Sequence, residues 1–498
     1  LLILRPRRFG KTLMMSTLRH FLEINRKRPG DTSEHEKLFK GLSVLDDREF
    51  TAECMGQFPV VFFSFNGVDG KNFDSAMSNL SSSIFSLAEE FEWLMDSERL
   101  NSRQKESLGN LLNEKLMRSK EAQSYVISSL TTLCSLLLTH YGRKPVFLID
   151  EYDVPLQKAS LRGYYQDMLD VIRPMLTKLL KNNSNVYKVI MTGCLRASKE
   201  SIFTGMNNIE VNTVLSSRNR LAKAFGFTPD EVMKMLRYYG LENLYENARL
   251  WYDGDSIDGN DMFCPWDVTC YCMDVATPCM DSDPALFEPP SYWNGSSSND
   301  IIREFLPYLR LDDSDMMEAL IRGESVQLRV SDSLSYGELN KHRPEHFWSI
   351  LVYTGYLTKD RNGTKNSNVF RIPNAEIRSC FRDQIAQYYD PQEKGVFANI
   401  SEIIANELLE GRETNLRDSM NDTLAAFVSV RDSAVRAPRE KYYHGFINGL
   451  LAPAADSKTI RDYSSNRESG DGYPDVSFRG SESGTGTVIE LKHVSDMN

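Results

Sequence analysis

Leu1-Leu2-Ile3-Leu4-Arg5-Pro6-Arg7-Arg8-Phe9-Gly10-Lys11-Thr12 reads as strand, loop and helix start, and that order decides the fold. Four apolar residues make a strand, a basic loop follows, and Met14, Leu18, Phe21 and Leu22 then recur on one helical face. Gly-Lys-Thr at the opening of the helix is what phosphate chemistry needs. Backbone N–H groups cradle the oxygens, Lys11 reaches the β- and γ-phosphates, and the Thr12 hydroxyl holds Mg²⁺. The pattern GxxxxGK[ST] asks for glycine where Arg5 stands, so the match is incomplete and a basic surface loop competes with it. The chain begins inside this motif, and residues are expected to precede Leu1.

A second element favours the phosphate reading. Pro145-Val146-Phe147-Leu148-Ile149-Asp150-Glu151 is an apolar strand ending in two acids. ATPases present a magnesium carboxylate, here Asp150, and a water-activating carboxylate, here Glu151, in this way; Asp153 is the next candidate base. A third strand ends at Thr192-Gly193, followed by Arg196, where a hydroxyl can sense a γ-phosphate or form a simple turn. With strands over Leu1 to Leu4, Val60 to Phe65, Val146 to Ile149 and Val186 to Met191, residues 1–215 read as an α/β domain with a mostly parallel sheet. The polar segment 101–130 reads as a helical excursion on the outside.

The 498 residues suit about three domains. With 58 Lys+Arg against 69 Asp+Glu and a net charge of -11, a general DNA-coating protein is excluded; nucleic-acid contact would need a local basic surface or carboxylate-held metal ions. Apolar runs such as Pro59 to Phe65 and Leu133 to Leu138 are too short to cross a bilayer, so no membrane span is expected. The 8 cysteines form no CxxC pair, which points to reduced thiols in a cytoplasmic protein. Cys264, Cys270, Cys272 and Cys279 lie close together, but their spacing fits no common zinc pattern, and buried thiols are expected.

From about Ser216 the pattern becomes mainly helical. Thr228-Pro229-Asp230-Glu231 predicts a helix start with a capping box. Turn-rich interruptions include Asp253-Gly254 and Asp258-Gly259, Phe347 to Leu357 is strongly apolar, and Val369 to Ile372 reads as a strand stopped by Pro373. Beyond Gly395 helices lead into two short strands, Val476 to Phe478 and Thr487 to Leu491. Pro474-Asp475 and Glu490-Leu491-Lys492 put two carboxylates and a lysine on this hairpin, with Glu490 and Lys492 sharing a face. Two carboxylates can hold Mg²⁺, the metal activates water, and Lys492 positions it. An exposed, charged hairpin is the competing reading.

Arg5 to Thr12, Leu148 to Pro155, Thr192-Gly193 with Ser201 to Asn207, Trp251 to Gly254, Tyr292-Trp293, Ser296 to Asp300 and Tyr353 to Leu357 together resemble the AAA-ATPase-like family whose members carry a C-terminal PD-(D/E)XK nuclease-like domain. The resemblance implies that Arg5 is usual in this phosphate loop and that Lys11, Thr12, Asp150 and Glu151 occupy the ATP and magnesium positions; Arg8, Gly10 and Thr192 are expected nucleotide contacts beside them, and Thr12 and Asp150 the expected Mg²⁺ ligands. It implies a P-loop NTPase domain over 1–215, a helical lid and winged-helix-like region over 216–394, and a restriction-endonuclease-like α/β domain over 395–498. That last domain is expected to be incomplete at its C-terminal end. Its expected metal site is Asp475 and Glu490, with Lys492 alongside, and Glu440 lies on its opening helix. The expected function is ATP hydrolysis coupled to Mg²⁺-dependent cleavage of DNA or RNA; the alternative is an ATP-dependent switch or scaffold with an inactive nuclease-like domain. A homo-oligomer stays open.

Overall fold

The computed structural model describes residues 1–195, 209–216, 219–276, 289–292, 316–317, 319–331, 334, 336, 343–360, 368–381, 396–427, 447–448, 450–451, 454–455, 457–465 and 474–491. They belong to two compact units: Leu1–Phe287 with Leu328–Val369, and Glu288–Gln327 with Phe370–Asn498.

The first unit is built on a five-stranded sheet of β1 (Leu2–Leu4), β2 (Val60–Ser64), β3 (Val146–Asp150), β4 (Lys188–Gly193) and β5 (Val211–Asn212). The spatial order is β2-β3-β4-β1-β5, and every neighbouring pair is parallel. A parallel sheet carries helices on both faces, so its strands are apolar throughout rather than alternating. All of β1 and β3 is buried accordingly. The sheet order puts β4 between β1 and β3, and β1 between β4 and β5. The loop after β1 and the acids closing β3 therefore emerge at the same carboxyl edge, beside the strand where the chain changes direction, which is where open α/β sheets bind ligands. The parallel five-stranded sheet with its helices fits a P-loop NTPase-like α/β fold. The four strands expected from sequence are present; β5, only two residues long, is additional.

Helix α1 (Lys11–Leu22) follows the loop, with Met15 and Phe21 as its most buried side chains. Its inner face meets Phe58, Val60, Val146 and Leu148 in one apolar cluster. Helices α2 (Phe73–Glu89), α3 (Ala122–Tyr141) and α4 (Tyr165–Leu180) complete the layers around β2, β3 and β4. The outer polar excursion is confined to the short helices Ser102–Leu111 and Glu114–Met117. Residues 122–130, expected to belong to it, are the first turns of α3 and bury Ala122, Val126 and Leu130. At 20 residues, α3 is long and apolar enough to cross a membrane, a helix that the short apolar runs of the sequence did not announce. It packs against α2 and α4, and its inner face is part of this unit's core.

Helix α5 (Pro229–Tyr239) starts as the sequence predicts: the Thr228 side chain accepts from the Glu231 N–H, Glu231 returns the bond, and Pro229 holds the first helical position. Past it, Asp258-Gly259 is the turn of a two-stranded hairpin, β6 (Asp255–Ile257) and β7 (Asn260–Met262). Both turn residues have positive φ, 50° and 80°, the twist that suits a tight hairpin. Helix α6 (Pro265–Ala276) follows directly. The apolar stretch from Phe347 lies in the helix Pro344–Thr354, which ends at Gly355 with φ 94°.

The second unit contains α7 (Val396–Glu410), α8 (Glu413–Phe427) and an antiparallel meander of β8 (Ile460–Ser465), β9 (Val476–Gly480) and β10 (Gly486–Ile489). Its core joins Ile404 and Ala405 of α7 to Ile460, Val476 and Phe478 of the sheet. Only β9 and β10 were expected; the polar makeup of Ile460–Ser465 conceals β8.

Candidate nucleotide site

Gly10 takes φ 72° at the start of α1, a left-handed conformation that glycine adopts without strain. No side chain caps the first turn of α1, and no acid lies in it. Its N–H groups and the positive end of its dipole are therefore directed at the loop. The Lys11 side chain is buried and donates to the carbonyl oxygens of Arg5 at 3.0 Å and Pro6 at 2.7 Å, with Cys194 Sγ at 3.5 Å. The loop thus holds its ammonium at its own centre.

The acids of β3 meet this loop. Thr12 Oγ1 donates to Asp150 Oδ2 at 2.6 Å, and Thr192 Oγ1 donates to Asp150 Oδ1. The buried Asp150 carboxylate is therefore fixed from both sides by hydroxyls from α1 and β4. Thr192, expected as a γ-phosphate sensor or a turn residue, orients Asp150. Glu151 follows at φ 53°, uncommon outside glycine and a mark of local strain. Burial first, then the negative charge of Asp150, push its carboxyl above the usual glutamate range, while Lys11 pulls the other way. A carboxyl raised in this way is a stronger base than an ordinary glutamate.

Asp153 is not a free alternative to Glu151. Its Oδ2 accepts from the N–H groups of Cys194 at 3.0 Å and Leu195 at 2.8 Å and from the Tyr336 hydroxyl at 2.9 Å. Those bonds pin the chain after β4, and Tyr152 adds a hydroxyl bond to Leu195 O at 2.7 Å. A Cβ on Gly193 would lie 2.6 Å from both Asp153 Oδ1 and Tyr152 Cε1, so this close approach admits only glycine.

The two arginines marked by the motif serve different ends. Arg5 is fully buried and turns away from the loop, donating to Leu4 O at 2.9 Å, Asn212 Oδ1 at 2.8 Å and Leu221 O at 3.0 Å. Burial pulls its guanidinium down to about 10, which leaves it charged at neutral pH. Arg8, expected to contact nucleotide, has φ 64° and pairs with Asp267 at 3.5 Å, its guanidinium carbon 5.6 Å from the centroid of the Trp266 ring. Sequence reasoning missed the Cys264–Asp267 segment that receives it; the signal was a proline and an acid at a helix start.

In the second unit, the pairing of Val476 with Ile489 sets Asp475 opposite Glu490. Asp475 Oδ2 accepts from the Leu491 N–H at 2.6 Å. Glu490 lies one residue past the end of β10 and is exposed, on the face of Val488, while Ile489 and Leu491 pack on the core. The strand expected to run through Leu491 thus stops before the glutamate, because Asp475 takes the next N–H in place of a backbone carbonyl. Lys492, Glu440, Arg196, Cys279 and residues 201–207 lie outside the described residues. Cys264 and Cys272 are buried thiols in no disulfide, whereas Cys270, also expected to be buried, is only half-buried because it lies on the partly exposed side of α6.

Residues 1–203 match the model of a family described as predicted AAA-ATPase. The chain is also 22% identical over 409 residues to an uncharacterized protein in the vnfD 5′ region of Azotobacter chroococcum mcd 1, a match covering 80% of this chain and 65% of that protein. No solved structure matches. Residues 1–203 are thus similar to a predicted AAA-ATPase family, and the parallel sheet that carries the loop fits that likeness.

Proposed function

We propose that this protein binds and hydrolyses ATP, and that its nucleotide state is coupled to a Mg²⁺-dependent nuclease-like domain acting on DNA or RNA. The observation that carries the ATPase half is the joining of Thr12, Asp150 and Thr192 beside Lys11, on elements brought together from three distant parts of the chain. Oxygen donors from a threonine and a carboxylate suit Mg²⁺, so Thr12 and Asp150 would hold it. Held there, Mg²⁺ would supply positive charge against the negative charge that develops on the transferring phosphoryl group. Thr192 keeps the Asp150 carboxylate oriented, Lys11 and the first turn of α1 take the phosphates, and Glu151 accepts the proton of the attacking water. Domain limits at about 215 and 394, and a reducing cytoplasmic setting for the cysteine thiols, belong to the same proposal.

The nuclease half rests on Asp475 standing opposite Glu490 on the meander, beneath a helix–sheet core. One contact favours the alternative, a switch with an inactive nuclease-like domain: the Asp475 carboxylate is already used to cap the Leu491 N–H.

Mg·ATP binding and steady-state hydrolysis test the ATPase half. Lys11→Ala is expected to abolish or greatly weaken binding, and Glu151→Gln to keep ATP bound while blocking turnover. Unchanged affinity in the first variant sinks the site; unchanged turnover in the second moves the base elsewhere.

A further inference from the structure

Helix α6 begins against the phosphate loop. Pro265 Cγ lies 3.7 Å from where a Cβ on Gly10 would stand, and Cys264 Sγ is 3.5 Å from Arg8 O. Asp267, almost wholly buried, pairs with Arg8. Between these anchored neighbours Trp266 is 53% exposed. Arg8 stands over its ring and is itself held by Asp267, so the indole is braced, and much of it still faces solvent.

A nucleoside triphosphate seated by its phosphates on Gly10, Lys11 and Thr12 must carry its ribose and base away from the loop. The base is flat, with a π-face that gains from an aromatic partner. An exposed, braced indole one residue from the proline that touches the loop supplies such a surface. Leu13, directly after Thr12 and 64% exposed, adds apolar surface on the first turn of α1. We propose that Trp266 is the stacking platform for the purine base of the bound nucleotide, with Arg8 backing the ring. This rests on the phosphate-site reading above and assigns the base subsite within it.

The test compares two ligands, Mg·ATP and Mg·tripolyphosphate, which share the phosphate chain and differ in the nucleoside. Their affinities are measured by calorimetry for wild type, Trp266→Ala and Trp266→Phe. Stacking of one base predicts about a tenfold loss of ATP affinity in Trp266→Ala, with tripolyphosphate affinity unchanged. Trp266→Phe should keep most of the ATP affinity, since a ring remains over Arg8. Equal weakening of both ligands in Trp266→Ala would mean that the indole only supports the loop, and no weakening of either would mean that the base lies elsewhere; each result overturns the proposal. If wild type binds neither ligand, the phosphate site itself is wrong and the base subsite falls with it. That pattern is distinct, because no variant is needed to see it.

Discussion

At the scale of single residues, the departure of Arg5 from the glycine of the phosphate-loop pattern has a structural cause. Its guanidinium ties the end of β1 to Asn212 on β5 and to Leu221, while its carbonyl receives Lys11. Arg5→Gly, which restores the pattern, is therefore expected to harm the protein. It strands buried acceptors that a charged donor had satisfied, at about 1.5–3 kcal/mol for each such bond lost. Its unfolding midpoint should fall clearly below that of wild type; an unchanged midpoint would show that the strut is dispensable. Nothing in the sequence disclosed this role, because Arg5 and Asn212 are 207 residues apart. The meeting of Lys11, Thr12 and Asp150 at one sheet edge could be anticipated for the opposite reason, since the proposed phosphate chemistry asks for each, and for Glu151, at a fixed place on a strand–loop–helix or strand end. Glu151 also carries a pH signature. Its folded-state carboxyl is raised, so the folded protein holds that proton more tightly than the unfolded chain does. Its contribution is favourable to folding below the ordinary glutamate value of about 4.3, and is lost as pH rises from there through the raised value. Glu151→Gln removes this loss. The thermal midpoint of the variant minus that of wild type should grow as pH rises above the ordinary glutamate value. A difference that shrinks as pH rises from there would contradict the raised carboxyl.

At the scale of elements, legibility followed length and chemistry. The α5 start was readable to the residue because Thr228, Pro229 and Glu231 each solve a local problem of unpaired N–H groups. Thr228→Ala should cost about 1 kcal/mol of stability, seen as a lowered denaturant midpoint with an unchanged slope. No change would mean that the cap bond contributes nothing beyond water. Strand β5 has only two residues, and the β6–β7 hairpin has three on each side with acids among them, so neither shows a hydrophobic period. Their existence is decided by partners: β5 by β1 and by Arg5, and the hairpin by the Asp258-Gly259 turn. The same reasoning accounts for Trp266. An aromatic at a helix start reads by default as core, and only the contacts of Arg8 and Pro265 place it at the rim of the phosphate loop.

At the scale of the whole molecule, the net charge of -11 bears on how a nucleic acid could be handled. Phosphate backbones are repelled by such a surface on average, so a cleaving site would have to bring its own positive charge, and carboxylate-bound Mg²⁺ is one way to do so. The carboxylates on offer, Asp475 and Glu490, face each other across β9 and β10, but Asp475 also closes the sheet by accepting the Leu491 N–H. Its two possible duties can be separated. Asp475→Asn retains an oxygen acceptor for that N–H and loses the negative charge that a divalent ion needs, whereas Asp475→Ala loses both. Asp475→Asn should keep the wild-type melting profile and ATP turnover yet abolish Mg²⁺-dependent cutting of plasmid DNA or single-stranded RNA. Asp475→Ala should lose cutting and also lower the melting point. Cutting by Asp475→Asn at the wild-type rate would leave Asp475 a purely structural cap and remove the nuclease assignment. A wild-type protein that turns over ATP but cuts neither nucleic acid would favour the switch, in which the meander holds a partner and the carboxylate serves the sheet alone.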